Sequence, residues 1–227
     1  MPSLPQLLTN HGCLLVLDAA SMNTQVGLLR AGSLALWDST AKEAGTAIFT
    51  GTESVLHHTG CAFADISAFI FCAGPGSMLG TRTIAMALRT WQVVCPRPVY
   101  AYQSLAVAAH HEWTRQPGRR FSVIADARRD TWHCQPVEAD GRMAALQRVP
   151  AIGMPPGELV TPENFRSWAP PPRPAAPCRY DLATIFLALG DGDYFQASTA
   201  PEAFQHEAPE YKKWSAQIHR GAPAPRP

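Results

Sequence analysis

Apolar and polar positions along the 227-residue chain fall into short β-like runs separated by helical spacings. The run at residues 13–20 (CLLVLDAA) is continuously apolar until it meets an acid, which predicts a central strand. TQVGLLRAG and SLALWDSTA follow with β-rich composition around Gly32, so the chain opens on a three-strand meander. Residues 46–60 place Ile48, Val55 and Leu56 among polar neighbours and stop at Gly60, the pattern of an amphipathic helix. ISAFIFCA (66–73) predicts a buried strand, GPGSMLG a glycine-rich turn, and TRTIAMALRTWQVVC (81–95) a helix with apolar Ile84, Leu88 and Trp91.

The second half is patterned differently. PVYAY predicts a strand and SLAVAAHHEW a helix, broken by Gln116, Pro117 and Gly118, which places a lobe boundary near residues 103–118. FSVIADARRDTWHCQPVEA and RMAALQRVPAI predict long strands of a second sheet turning at Asp140-Gly141. Prolines crowd residues 155–177, with one helix start expected at TPENF, capped by Thr161 with Pro162 in its first turn. DLATIFLALGDGD predicts a helix with a glycine stop, EAPEYKKW a last helix, and GAPAPRP a disordered tail. No repeat of fixed period is present. The division expected is 1–102, 103–220 and a tail of 221–227.

Composition narrows the function classes. Nineteen basic against 18 acidic side chains leave a formal charge of +1, so no global field draws the protein onto nucleic acid. Six cysteines stand singly, without the C-x-x-C pairing of zinc or redox sites, as expected of reduced thiols in a cytoplasmic protein. No secretory leader or membrane span is read in the sequence. The histidines, at 11, 57, 58, 110, 111, 133, 206 and 219, include no two spaced four apart, so a helical H-x-x-x-H metal pair is absent. Ser77 follows a glycine turn after a strand, but G-P-G-S-M does not supply a G-x-S-x-G elbow, and no His or acid is assigned to it by spacing.

Taken in order, LLVLDAA, FCAGPGSMLGTR and IADARRDTWHC resemble the TsaB family over roughly residues 13–140. The most specific segment is Gly74-Pro75-Gly76-Ser77 with Gly80 and Arg82, similar to the family's G-P-G-S-x-T-G-x-R; Leu79 stands where the family has Thr, and Glu43-Ala44-Gly45 replaces its E-H-S. The resemblance implies an α/β fold of two lobes, of the actin, sugar-kinase and Hsp70 type, with mixed sheets and helices. It implies a non-catalytic scaffold for a TsaD-like enzyme, with a TsaE-like ATPase joining, that attaches threonylcarbamoyl to an adenosine of ANN-decoding tRNAs. The tRNA is met only through that complex, and the free chain is a monomer or a homodimer. Helices 46–60 and 81–95 would meet the partner through residues such as Thr50, Glu53, Arg82 and Ala87.

In ATP-using members of that superfamily an acid ends the first strand beside a glycine, so that backbone N–H groups approach a phosphate. Here Asp18 is followed by Ala19, Ala20 and Ser21, and Asp126 by Ala127 and Arg128, with side chains where bare backbone is wanted. The candidate nucleotide or anion residues are therefore Asp18, Gly74, Gly76, Ser77, Gly80, Asp126 and Arg128. No cofactor is expected to bind tightly, and ATP or ADP would sit at the partner interface. The loop at 74–80 reads either as a phosphate contact at a helix N-terminus or as a tight turn with Gly76 at positive φ and Ser77 or Thr81 as cap. The alternative function is a small ATP-dependent phosphotransferase of the sugar-kinase class.

Overall fold

The computed structural model describes residues 1–206. The expected last helix EAPEYKKW and the tail lie outside the described residues. The meander forms as its pattern predicts: β1 (Cys13–Asp18), β2 (Thr24–Arg30) and β3 (Leu36–Thr40) pair antiparallel in sequence. Helix α2 (Ala44–Thr59) lies on them and ends at Gly60, whose φ of 66° supplies the left-handed cap. Strand β4 (Ala68–Gly74) runs parallel to β1, helix α3 spans Met78–Val94, and β5 (Val99–Gln103) runs parallel to β4. Helix α3 begins at Met78 with Ser77 as its cap, one turn before the expected start at Thr81.

Helix α4 (Ser104–Arg115) leads into the second sheet. There β6 (Phe121–Asp126) pairs antiparallel with β7 (Thr131–Val137) and parallel with β9 (Glu158–Pro162), flanked by β8 (Gln147–Pro150) and β10 (Ala175–Cys178). The stretch 121–139, expected as a long strand, is thus a hairpin folded at Ala127–Asp130. RMAALQRVPAI pairs only at Gln147–Pro150 and through a single bridge from Met143 to Val137. Its middle is held instead by the Gln135 side chain, whose Nε2 donates to the Ala144 carbonyl at 2.6 Å.

The helix expected from Thr161 does not form. Leu159 and Val160 are buried between two parallel neighbours, and this pairing carries the strand through Pro162, while Asn164 turns the chain at φ 63°. Helix α5 (Leu182–Ala188) follows, capped by Asp181 and stopped near Gly190 as expected, and β11 (Gln196–Ala197) returns to the edge of β5. One element escaped the sequence reading: α1 (Leu4–His11), started by a capping box in which Ser3 and Gln6 bond each other's backbone N–H.

The two sheets repeat one plan. The first runs β3-β2-β1-β4-β5, with β11 outside β5; the second runs β8-β7-β6-β9-β10 with the same alternation of antiparallel and parallel neighbours. This duplicated mixed sheet is the two-lobed architecture of the actin, sugar-kinase and Hsp70 type. It aligns Asp18, last residue of β1, with Asp126, last residue of β6. Central strands are buried on both faces, and successive side chains go to opposite sides. Leu15 and Leu17 join Phe69 and Phe71 under α2 and α3, whereas Leu14 and Val16 join Ile70, Phe121 and Val123 in a core shared by both sheets and α4.

Candidate functional site

Asp18 is fully buried. Its Oδ1 accepts the Ala20 N–H at 2.8 Å, and its Oδ2 accepts the hydroxyls of Tyr102 at 2.6 Å and Tyr180 at 2.7 Å. Burial pushes its pKa up, opposed by these donors, and burial likewise drives both tyrosine pKa values well above the ordinary range. Tyr102 comes from β5 and Tyr180 from the link between β10 and α5, so the carboxylate ties the second half of the chain to the first. Buried Gln25 doubles that tie: its Nε2 donates to the Tyr180 carbonyl at 3.2 Å, and its Oε1 accepts the Leu182 N–H at 2.9 Å.

The glycine loop closes on the same strand end. Gly76 has φ 154°, and the Ser77 N–H donates to the Ala20 carbonyl at 2.7 Å, a bond that a phosphate oxygen would take in a nucleotide cradle. A Cβ on Gly76 would overlap the Ala20 backbone, and one on Gly80 the Ala19 carbonyl. Both glycines are needed because the start of α3 presses directly on the β1–β2 turn. Ser77 Oγ accepts the Gly80 N–H at 3.4 Å as the helix cap, and Ser104 Oγ donates to the Pro75 carbonyl. Asp18, Gly74, Gly76, Ser77 and Gly80 are therefore brought together, as a packed joint.

Asp126 and Arg128 stand at the matching end of the second sheet. Asp126 Oδ1 accepts the Arg128 N–H at 2.6 Å; its Oδ2 accepts the N–H groups of Trp168 at 2.7 Å and Ala169 at 3.0 Å. Partial burial raises its pKa, but the backbone donors outweigh this and hold the carboxyl below its usual value. The segment 163–169 lies between the two acid-bearing strand ends. Its Asn164 carbonyl accepts the Met22 N–H from the β1–β2 turn at 2.7 Å, its Phe165 ring meets Tyr180 edge-on at 4.9 Å, and residues 167–169 satisfy Asp126. The two strand ends are thus bridged by the chain itself. No local pattern announced this, because each partner of the segment is distant in sequence.

Of the residues suggested for partner contact, Thr50, Glu53 and Arg82 are exposed on α2 and α3, whereas Ala87 is only 8% exposed and packs beneath α3 in the core with Ile84 and Leu88. Ala47 and Gly51 also face inward, Gly51 abutting Val26. Missed by sequence reasoning was the outer stripe of α3: Leu79, Met86 (58% exposed) and Val93 (84% exposed) recur every seven residues. That spacing is visible in the sequence, but so is the inward face at Ile84 and Leu88.

Among the described residues no three His, Cys, Asp or Glu side chains group as a metal site, no cysteine is bonded to another, and no helix is long and apolar enough to cross a membrane.

No protein-family model matches the chain, and no curated protein matches it. Solved structures do. The chain is similar to an uncharacterized Pseudomonas aeruginosa protein described as having similarity to peptidase YeaZ, with 23% identity and a TM-score of 0.62, covering 78% of this chain and 89% of that one. It is also similar to YeaZ from Pseudomonas aeruginosa, at 22% identity and a TM-score of 0.61, covering 78% of this chain and 90% of that one. The likeness is one of fold and spans nearly the whole of both neighbours.

Proposed function

We propose that this protein is a non-catalytic scaffold of the TsaB type, which pairs with a TsaD-like enzyme and so supports threonylcarbamoyl transfer to tRNA. The observation that carries the reading is that Asp18 is buried beneath the hydroxyls of Tyr102 and Tyr180, while the segment 163–169 bonds the β1–β2 turn and caps Asp126, at the strand ends where a phosphotransferase of this fold needs open backbone. A sealed Asp18 cannot position a metal or a nucleophile, so the chain contributes a surface rather than a reaction. That surface is the outer face of α2 and α3, where the heptad-spaced Leu79, Met86 and Val93 give a partner helix an apolar seam and Glu53 and Arg82 are exposed on the same two helices. A TsaE-like ATPase supplies nucleotide turnover, and any ATP or ADP lies at the junction with the partner.

Reconstitution tests the reading. The organism's TsaD-like and TsaE-like proteins, tRNA, ATP and threonylcarbamoyl-adenylate should form modified tRNA only when this chain is added. The Asp18→Asn variant, whose one carbonyl oxygen can serve both tyrosines at the loss of the Ala20 N–H bond, should support the same rate as long as it folds. Modification that proceeds equally without the chain, or that is abolished by Asp18→Asn with folding intact, overturns it.

A further inference from the structure

The β6–β7 turn holds Arg128, Arg129 and Asp130 at φ 64°, 53° and 56°, three consecutive side-chain-bearing residues in the left-handed region. Each such residue costs roughly 1 kcal/mol, and the surroundings hold the turn in place. Asp126 accepts the Arg128 N–H, Thr131 N–H donates to the Arg128 carbonyl, Ala151 N–H donates to the Asp130 carbonyl, and Arg148 donates to the Ala127 carbonyl. Strain maintained this way is a reason to look for function.

What the turn displays is basic and aromatic. The Arg128 guanidinium lies 4.2 Å from the ring centre of Trp168, which is 58% exposed. Arg148 Nε donates to Thr131 Oγ1 at 2.9 Å, and Arg166 immediately precedes the segment that Asp126 anchors. Arg128, Arg129, Arg148 and Arg166 are exposed, and among the described residues none of the four has an ion-pair partner, as is also so of Arg30, Arg82, Arg97 and Arg173. A pocket of about 300 Å³ opens at the turn, where Arg128, Arg129, Trp132 and Trp168 line it together with the carboxylates of Asp126 and Asp130.

We propose that this pocket binds a nucleotide unit of a single-stranded RNA, with the base stacked at Trp168 and the phosphates on Arg129, which lines it, and Arg148, which is bonded to its Thr131. The inference rests on the proposed reading for the origin of the RNA, and on this patch alone for the contact. Guanidinium groups together with an exposed indole match the two chemistries of a nucleotide, a phosphate and a flat π face. An acidic peptide would use the arginines and leave Trp168 idle; a duplex would keep its bases stacked and out of the pocket. Asp126 and Asp130, which also line the pocket, limit the attraction, so the contact suits a strand delivered by a complex more than tight autonomous binding.

The test uses the isolated full chain and a fluorescent oligoadenylate of about ten nucleotides, read by polarisation across a salt series. Trp168→Ala should weaken binding about tenfold, the scale of one lost stacking contact, with the salt slope unchanged. Arg129→Gln should weaken it and lower the slope by roughly 0.7, the single-strand value for one phosphate contact, while Arg129→Lys restores the slope. Both side chains are exposed, and circular dichroism melts verify that the variants fold. Binding that is undetectable, indifferent to Trp168→Ala, or matched by polyglutamate overturns the proposal; AMP binding as tightly as the strand overturns its assignment to RNA. None of these results depends on the TsaD-like partner, so this inference can fail while the scaffold reading stands.

Discussion

The hydroxyl of Tyr180 donates to the carboxylate of Asp18 across 2.7 Å and 162 residues of sequence, joining the entry to α5 with the end of the first strand. That carboxylate is an internal fastener. Removing Tyr180's hydroxyl (Tyr180→Phe) should cost about 1 kcal/mol, since Tyr102 still donates. Asp18→Ala strands two buried hydroxyls and should cost about 3 kcal/mol. Urea unfolding of the two variants checks both the sign and the order.

Substituting alanine at Gly76 or Gly80 should cost more than Tyr180→Phe. The added methyl meets backbone carbonyls of Ala20 and Ala19, which cannot swing aside as a side chain could. A loss of about 3 kcal/mol or more, or failure to accumulate folded protein, is expected. Thermal melts of Gly80→Ala beside Gly45→Ala, where nothing lies near the added Cβ, make the comparison.

How much of this was legible depends on the reach of each interaction. The meander, β4, α3, α4 and α5 were readable because their apolar spacing and glycine stops are local. The start of α1 was also written locally, in Ser3 and Gln6, but its eight residues are too few for periodicity to reveal. Strands β9 and β10 were hidden in a proline-rich stretch because they are made by pairing with β6 and with each other, and Pro162 at the end of β9 resembles a helix start until its partners are known. The acids Asp18 and Asp126 could be matched from sequence; their occupation by Tyr102, Tyr180 and the segment 163–169 could not.

Stability should depend on pH through His133. Burial, with the neighbouring His206 and Arg148, pushes its pKa from the ordinary 6.5 down to about 4, Asp126 opposing. Between those values the unfolded chain binds more protons than the folded one, so stability rises with pH across the window and is lost on acidification from about 6.5 towards 4. The loss should be on the order of 3 kcal/mol. Denaturant midpoints measured across that range should show a shallower slope in His133→Gln than in the wild type.

Ser3→Ala removes the cap of α1 and should cost about 1 kcal/mol. The same change at exposed Ser33, which caps no helix, should cost little. A paired set of melting curves distinguishes them.

The central claim is that α2 and α3 offer a partner surface while Asp18 offers no chemistry. Size-exclusion chromatography with light scattering, on the chain mixed with its organism's TsaD-like protein, tests this most directly when repeated with Met86→Glu in the exposed stripe of α3. The account predicts a stable heterocomplex that the substitution abolishes without lowering the melting temperature, and no ATP turnover by the chain alone. Absence of a complex, together with magnesium-dependent ATP turnover by the lone wild-type protein, would contradict it.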